Sequence, residues 1–108
     1  MKLLFVCSQN RLRSPTAEAV FSAYPGIEAR LAGTNPDAET PVSADLIDWA
    51  DVVLVMEKCH RNKLTRKFHA AFKTKRLVVL EIADEYEYMD ADLIRILEAR
   101  VPRYLRLE

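Results

Sequence analysis

Residues 3–15, which read LLFVCSQNRLRSP, decide the fold. The first four residues form an unbroken apolar run that is too short for a helix and is typical of a strand buried on both faces. A polar loop follows. Ser14 and Pro15 then predict the start of a helix, because Ser caps helix ends and Pro is tolerated at the first helical position. The stretch therefore predicts a strand, a loop and a helix in succession.

The same alternation continues along the rest of the chain. Alternating apolar residues over 27–33 predict a second strand, and apolar runs over 51–56 and 77–80 predict a third and a fourth. Apolar residues at helical spacing predict four helices. The four sets, in chain order, are Ala17, Val20, Phe21 and Tyr24; Leu46, Ile47 and Ala50, after a cap at Ser43; Leu64, Phe68, Ala71 and Phe72; and Leu93, Ile94, Leu97 and Val101. We expect Pro102 to end or kink the last helix. The order predicts the α/β class, a three-layer open sheet of about four parallel strands with helices on both faces.

Composition limits the class of protein further. The chain has 108 residues, of which 50% are apolar and 30% charged, and this predicts a single compact domain over residues 1–108. Lys and Arg number 16 and Asp and Glu number 16, so no overall positive charge indicates a nucleic-acid partner. No apolar stretch approaches a secretory core or the roughly 20 residues of a membrane span. We therefore expect a cytoplasmic protein without a membrane partner.

Ligands of open parallel sheets bind beyond the carboxyl ends of the strands, which predicts a site at the loops after the first and fourth strands. In the first of these loops, Cys7 ends a strand and Arg13 opens a helix. Backbone N–H groups of such a loop, together with the helix N-terminus, favour an anion, and the planar guanidinium of Arg13 suits two phosphate oxygens. Attack by sulfur requires the thiolate, which is a minor species of an ordinary cysteine at neutral pH. The loop amides, Arg13 and Ser14 would have to stabilise it.

The spacing of a cysteine, five residues, then arginine, serine and proline resembles the phosphate-binding loop of low-molecular-weight protein tyrosine phosphatases. This resemblance implies that Cys7 is the nucleophile and that Arg13 holds phosphate. It also implies that Ser14 stabilises the thiolate and that Asn10 braces the loop. The implied phosphate-binding and loop residues are Ser8, Gln9, Asn10, Arg11, Leu12, Arg13 and Ser14. The chain departs from the family at Gln9, where a glycine is usual, and at Leu12, where a second cysteine is common.

Three other segments are similar to the same family. They are residues 32–34, residues 55–57 and residues 83–86, which read AGT, VME and ADEY. In the last of these, Glu85 replaces the family's proline. The resemblance implies that Asp84 is the general acid, with Asp90 as the alternative, and that Tyr86 could form a wall of the pocket.

The residues and the resemblance together indicate a phosphomonoester hydrolase, with protein tyrosine phosphatase as the leading assignment, acting through a phosphocysteine intermediate. We expect no cofactor and no metal, and a phosphorylated protein or a small phosphomonoester as the substrate. The alternatives are an arsenate reductase-like enzyme or a phosphocysteine carrier of the same fold, and a catalytically inactive module that binds an oxyanion or a nucleic acid. The sequence leaves the oligomeric state open.

The remaining polar residues have structural interpretations. Cys59 is expected to be a free thiol at a helix start, and His60 and His69, which lack metal-ligand spacing, are expected on the surface. The region over 58–76 is basic, whereas the region over 81–98 is acidic. This pattern indicates either a solvated helix beside an oppositely charged neighbour or a docking surface for an acidic partner.

Overall fold

The computed structural model describes residues 1–8, 13–83 and 85–105. The strands are β1 (Lys2–Cys7), β2 (Glu28–Gly33), β3 (Val52–Val55) and β4 (Arg76–Val79). The helices are α1 (Arg13–Phe21), α2 (Ala44–Trp49), α3 (Lys58–Lys67) and α4 (Ala91–Leu105), and a 3₁₀ helix spans His69–Lys73. Strands and helices alternate as the sequence predicts. No helix in these described ranges is long and apolar enough to cross a membrane.

The four strands form one parallel sheet in the order β2-β1-β3-β4. This confirms the predicted fold class. The chain runs from β1 to β2 on one side and then returns past β1 to β3 on the other, so the strand order reverses between β1 and β3. A ligand crevice is expected at the carboxyl ends of these two strands. The sequence analysis expected the site at the loops after β1 and β4. The strand order confirms the first of these and places the other side of the crevice at the loop after β3 rather than after β4.

Alternate residues of the central strands face two separate apolar layers, because side chains of a strand point to opposite faces in turn. Leu3, Phe5 and Cys7 of β1 belong to the cluster under α1 and α4. Leu4 and Val6 belong to the cluster under α2 and α3. The helices therefore cover both faces of the sheet, as predicted. On the first face the ring of Phe5 stacks on that of Phe21 with centroids 5.7 Å apart, which fixes α1 over β1.

Two helix boundaries differ from the sequence prediction. Helix α1 begins at Arg13 rather than at Pro15. Ser14, the predicted cap, is therefore the second residue of the helix, and the actual cap position is residue 12, outside the described residues. Pro15 is tolerated there because first-turn N–H groups have no partner within the helix. Helix α3 ends at Lys67, and the predicted apolar stripe continues into the 3₁₀ helix after Phe68, whose φ of −118° and ψ of 37° leave the α-helical range.

Pro102 does not end the last helix. It lies inside α4, which continues to Leu105. Leu93, Leu97, Val101 and Leu105 recur every four residues and are all buried. Burial of this stripe on both sides of the proline offsets the lost backbone hydrogen bond, which explains why the helix persists.

Replacing Leu97 with alanine is expected to destabilise the protein by about 2 to 5 kcal/mol, because its fully buried side chain would leave a cavity between α4 and the sheet. Chemical denaturation followed by circular dichroism measures the change. Ile94→Ala, on a less buried position of the same helix, is the matched control and is expected to cost less. Equal losses in the two variants would contradict this packing.

Candidate active site

Cys7 is the last residue of β1 and lies at the carboxyl edge of the sheet, with 3% of its surface exposed. The segment after β2 holds this strand end in place. The backbone N–H of Thr34 donates to the Cys7 carbonyl at 2.9 Å, and that of Asn35 donates to the Ser8 carbonyl at 2.9 Å. The start of the loop between β1 and α1 is therefore anchored at Cys7 and at Ser8.

Arg13 opens α1 at the other end of that loop and is also buried, with 4% exposure. Its Nη1 donates to the Glu57 carboxylate and, at 2.7 Å, to the Ile82 carbonyl. Glu57 follows β3 and Ile82 follows β4, so the guanidinium is directed along the carboxyl edge of the sheet. A buried cation requires such partners, because removing it from water without them is costly.

Two buried hydroxyl oxygens near this edge have no hydrogen-bond partner among the described residues. They are Ser14 Oγ, in the first turn of α1, and Thr34 Oγ1, in the segment that binds the Cys7 carbonyl. Buried hydroxyls are usually paired, so an unpaired one calls for a physical explanation. A group bound at this edge would supply the missing partner.

The acidic segment after β4 is tied to α1 at both ends of its described part. Ile82 accepts from Arg13, and the Met89 N–H donates to the buried Thr16 hydroxyl at 2.9 Å. Asp84 lies between these anchors in the chain but outside the described residues. Residues 9–12 of the loop after β1 are also outside the described residues. The predictions for Gln9, Asn10, Arg11 and Leu12 therefore fall outside the described part of the chain.

Asp90 and Tyr86, the other two candidates of this segment, are described. Asp90 Oδ1 accepts from the backbone N–H of Asp92 at 2.8 Å, at the start of α4. Its carboxylate is thus engaged as a helix cap. Tyr86 is half-buried and packs against the apolar cluster beneath α1 and α4.

The expectation that His60 lies on the surface is wrong. Its side chain is 1% exposed, and both ring nitrogens are engaged. The Glu57 N–H donates to Nδ1 at 3.0 Å, and Nε2 lies 2.9 Å from Ser8 Oγ. A signal for this contact exists in the sequence, because Glu57 directly follows a strand and stands three residues before His60, the spacing of a capping box. The sequence analysis placed Glu57 in a segment similar to the phosphatase family but gave its side chain no role.

The other structural interpretations agree with the structure. Cys59 is a free, exposed thiol at the second position of α3, and His69 is exposed. Lys58 Nζ lies 3.7 Å from Glu81 Oε1, so the basic and acidic regions meet at an exposed ion pair, with side chains 67% and 65% exposed. A pair this exposed contributes little to stability.

The four-stranded parallel sheet, with a cysteine and an arginine at the two ends of the loop after β1, has the fold of the low-molecular-weight tyrosine phosphatases. The YwlE arginine phosphatase from Geobacillus stearothermophilus superposes with a TM-score of 0.76 at 23% identity, over 97% of this chain and 92% of that one. The tyrosine phosphatase Wzb from Escherichia coli K30 gives 0.74 at 21% identity, over 95% and 94% of the two chains. A low-molecular-weight phosphotyrosine phosphatase from Vibrio cholerae O395 gives 0.76 at 19% identity, over 98% and 97%. No protein-family model and no curated protein matches the sequence.

Proposed function

We propose that this protein is a phosphomonoester hydrolase that acts on phosphotyrosine in proteins through a phosphocysteine intermediate. The observation that carries the proposal is the arrangement of side chains at the carboxyl edge of the sheet. Cys7 and Arg13 are both buried, and they stand at the two ends of the same loop. The Arg13 guanidinium is fixed by hydrogen bonds to Glu57 and Ile82. The fold shared with tyrosine phosphatases supports the same assignment.

In the proposed first step, the Cys7 thiolate attacks phosphorus and the bond from phosphorus to the ester oxygen breaks. Asp84 donates its proton to the departing oxygen, so that a neutral alcohol or phenol leaves. Arg13 and the loop amides stabilise the charge on the three phosphoryl oxygens. In the second step, Asp84 takes a proton from water, which attacks the phosphocysteine and releases phosphate and the thiolate.

Ser14 fits a supporting role in this scheme. Its buried hydroxyl has no partner among the described residues, and a thiolate at Cys7 would provide an acceptor for it. A hydrogen bond to a charged group is stronger than one between neutral groups. The hydroxyl would thus stabilise the ionised nucleophile more than the neutral thiol.

The structure around Asp84 supports its assignment as the acid in preference to Asp90. Ile82 and Met89, on either side of Asp84 in the chain, are hydrogen-bonded to α1 residues close to the phosphate loop. The carboxylate of Asp90, by contrast, caps α4. A carboxylate that holds a helix N-terminus is the less suitable proton donor, because its oxygen is already engaged by a backbone N–H of the helix.

We also propose that residues 1–108 form one domain and that the protein works in the cytoplasm. A cysteine nucleophile and an exposed thiol at Cys59 are both suited to a reducing compartment.

The test is hydrolysis of an aryl phosphate and of three phosphopeptides, carrying phosphotyrosine, phosphoserine or phosphoarginine. We expect turnover that vanadate inhibits and that persists in a metal chelator. We expect kcat/KM for phosphotyrosine to exceed that for phosphoserine by at least about tenfold, because phenoxide is the better leaving group. Turnover of none of the four substrates would overturn the proposal. A preference for phosphoarginine would overturn the substrate class but retain the nucleophile.

A further inference from the structure

His60 is a buried histidine that the proposed chemistry does not use, and its hydrogen bonds define its tautomer. The Glu57 N–H can only donate, so Nδ1 of His60 is the acceptor and carries no proton. Nε2 then carries the proton and donates to Ser8 Oγ at 2.9 Å. The imidazole thus connects the start of α3 to the first residue after Cys7, 52 positions earlier in the chain.

Glu57 makes the corresponding contact at the other end of the phosphate loop. Its Oε1 accepts from Arg13 Nη1, and its side chain is 37% exposed whereas that of Arg13 is 4% exposed. Ser8 and Arg13 are therefore both held by residues of one helix start, three positions apart. We refer to Glu57 and His60 together as the α3 clamp.

The α3 clamp has a consequence for the loop that it spans. A loop that binds an oxyanion through backbone N–H groups must hold them in one geometry before the ligand arrives, because ordering them on binding weakens affinity. Rigid secondary structure is the best support for such a geometry. Helix α3 begins three residues after the end of β3, and β3 pairs with β1, so the clamp connects both loop ends to the central strands.

We propose that Glu57 and His60 are positioning residues that hold both ends of the loop between β1 and α1 in the conformation that binds an oxyanion. The inference rests on the proposed function, because that function makes this loop the phosphate site. Neither residue is proposed to touch the substrate or to transfer a proton. Each acts through a residue at one end of the loop, His60 through Ser8 and Glu57 through Arg13.

Two substitutions of His60 separate its two hydrogen bonds. In His60→Gln the side-chain amide N–H can reach the place of Nε2–H and keep the bond to Ser8. In His60→Asn the shorter side chain places an oxygen near Nδ1, so it keeps the bond to the Glu57 N–H but not to Ser8. Ser8→Ala removes the same bond from the loop side. Binding of inorganic phosphate is measured by isothermal titration calorimetry, with kcat and KM for an aryl phosphate and the thermal midpoint for each variant.

We expect His60→Asn and Ser8→Ala each to weaken phosphate binding about 3- to 10-fold, the effect of one lost hydrogen bond. The double variant is expected to be no weaker than the worse single variant, because both changes remove one contact. His60→Gln is expected to bind phosphate within about threefold of the wild type. Glu57→Gln, which removes the charge facing Arg13, is expected to weaken binding about tenfold.

Asn62→Ala is the matched control, because Asn62 lies on the exposed side of α3. Among the described residues, its side chain accepts hydrogen bonds from Arg61, which is also exposed. It is expected to leave phosphate binding and turnover unchanged. If His60→Asn lowers the thermal midpoint but binds phosphate as tightly as the wild type, His60 is merely structural and the proposal is overturned. Additive losses in the double variant would also overturn it.

The proposed function can fail separately. A wild-type chain that binds phosphate but hydrolyses no substrate would overturn the hydrolase assignment, and the binding series would still decide the α3 clamp. A wild-type chain that does not bind phosphate would overturn both.

Discussion

Cys7→Ser is expected to lower the hydrolysis of an aryl phosphate by at least about a thousandfold, because the hydroxyl is almost entirely un-ionised at neutral pH and is a far weaker nucleophile than a thiolate. The substitution changes the side chain at the buried end of β1 by one atom. The fold and the binding of inorganic phosphate are therefore expected to survive. Steady-state kinetics and calorimetry measure the two properties on the same preparation.

Cys59→Ser provides the matched control for this prediction. Cys59 is the other cysteine of the chain and is exposed on α3. Its replacement is expected to leave kcat/KM within about twofold of the wild type. Substantial activity in Cys7→Ser, or a comparable loss in Cys59→Ser, would contradict the assignment of Cys7 as the nucleophile.

Asp84→Asn is expected to reduce kcat by about 100- to 10,000-fold for substrates with poor leaving groups, because Asn cannot protonate the departing oxygen. The loss is expected to shrink as the leaving group becomes more acidic, since a stable phenoxide needs no proton. Kinetics on a series of substituted phenyl phosphates measures this dependence. A phosphocysteine carrier would not need an acid, and its phosphoryl transfer would survive the substitution.

Asp90→Asn isolates the alternative acid without damaging the fold. Asn caps helices about as well as Asp does, so the start of α4 is expected to keep its hydrogen bond to position 90. We expect this variant to retain wild-type dependence on the leaving group. If Asp90→Asn shows the large loss and Asp84→Asn does not, the assignment of the acid is reversed.

Much of the fold followed from local patterns. The apolar run at β1 and the helical stripe of α4 are contiguous in the chain, so their structures could be predicted from neighbouring residues alone. The boundary errors arose where distant contacts outweighed local preference. Helix α4 passes Pro102 because Val101 and Leu105 are buried against the sheet, and α1 includes Arg13, whose side chain is fixed by Glu57 and Ile82.

The candidate site divides in the same way. Cys7 and Arg13 were predictable because their spacing lies within one loop, and the free thiol at Cys59 followed from its place at a helix start. The buried state of His60 was not predicted, since it depends on Ser8, far away in the chain. A histidine among Lys and Arg residues favours a surface interpretation until its partner at the end of the neighbouring strand is known.

The sequence by itself determined the alternation of strands and helices, the parallel sheet and the loop that joins a cysteine to an arginine. These features depend on periodicity and spacing over a few consecutive residues. Only the tertiary structure decided the order β2-β1-β3-β4, and with it the placement of Glu57 and His60 against that loop. Strand order depends on which apolar faces pack together across the sheet, and that choice involves residues far apart in the chain rather than any local pattern.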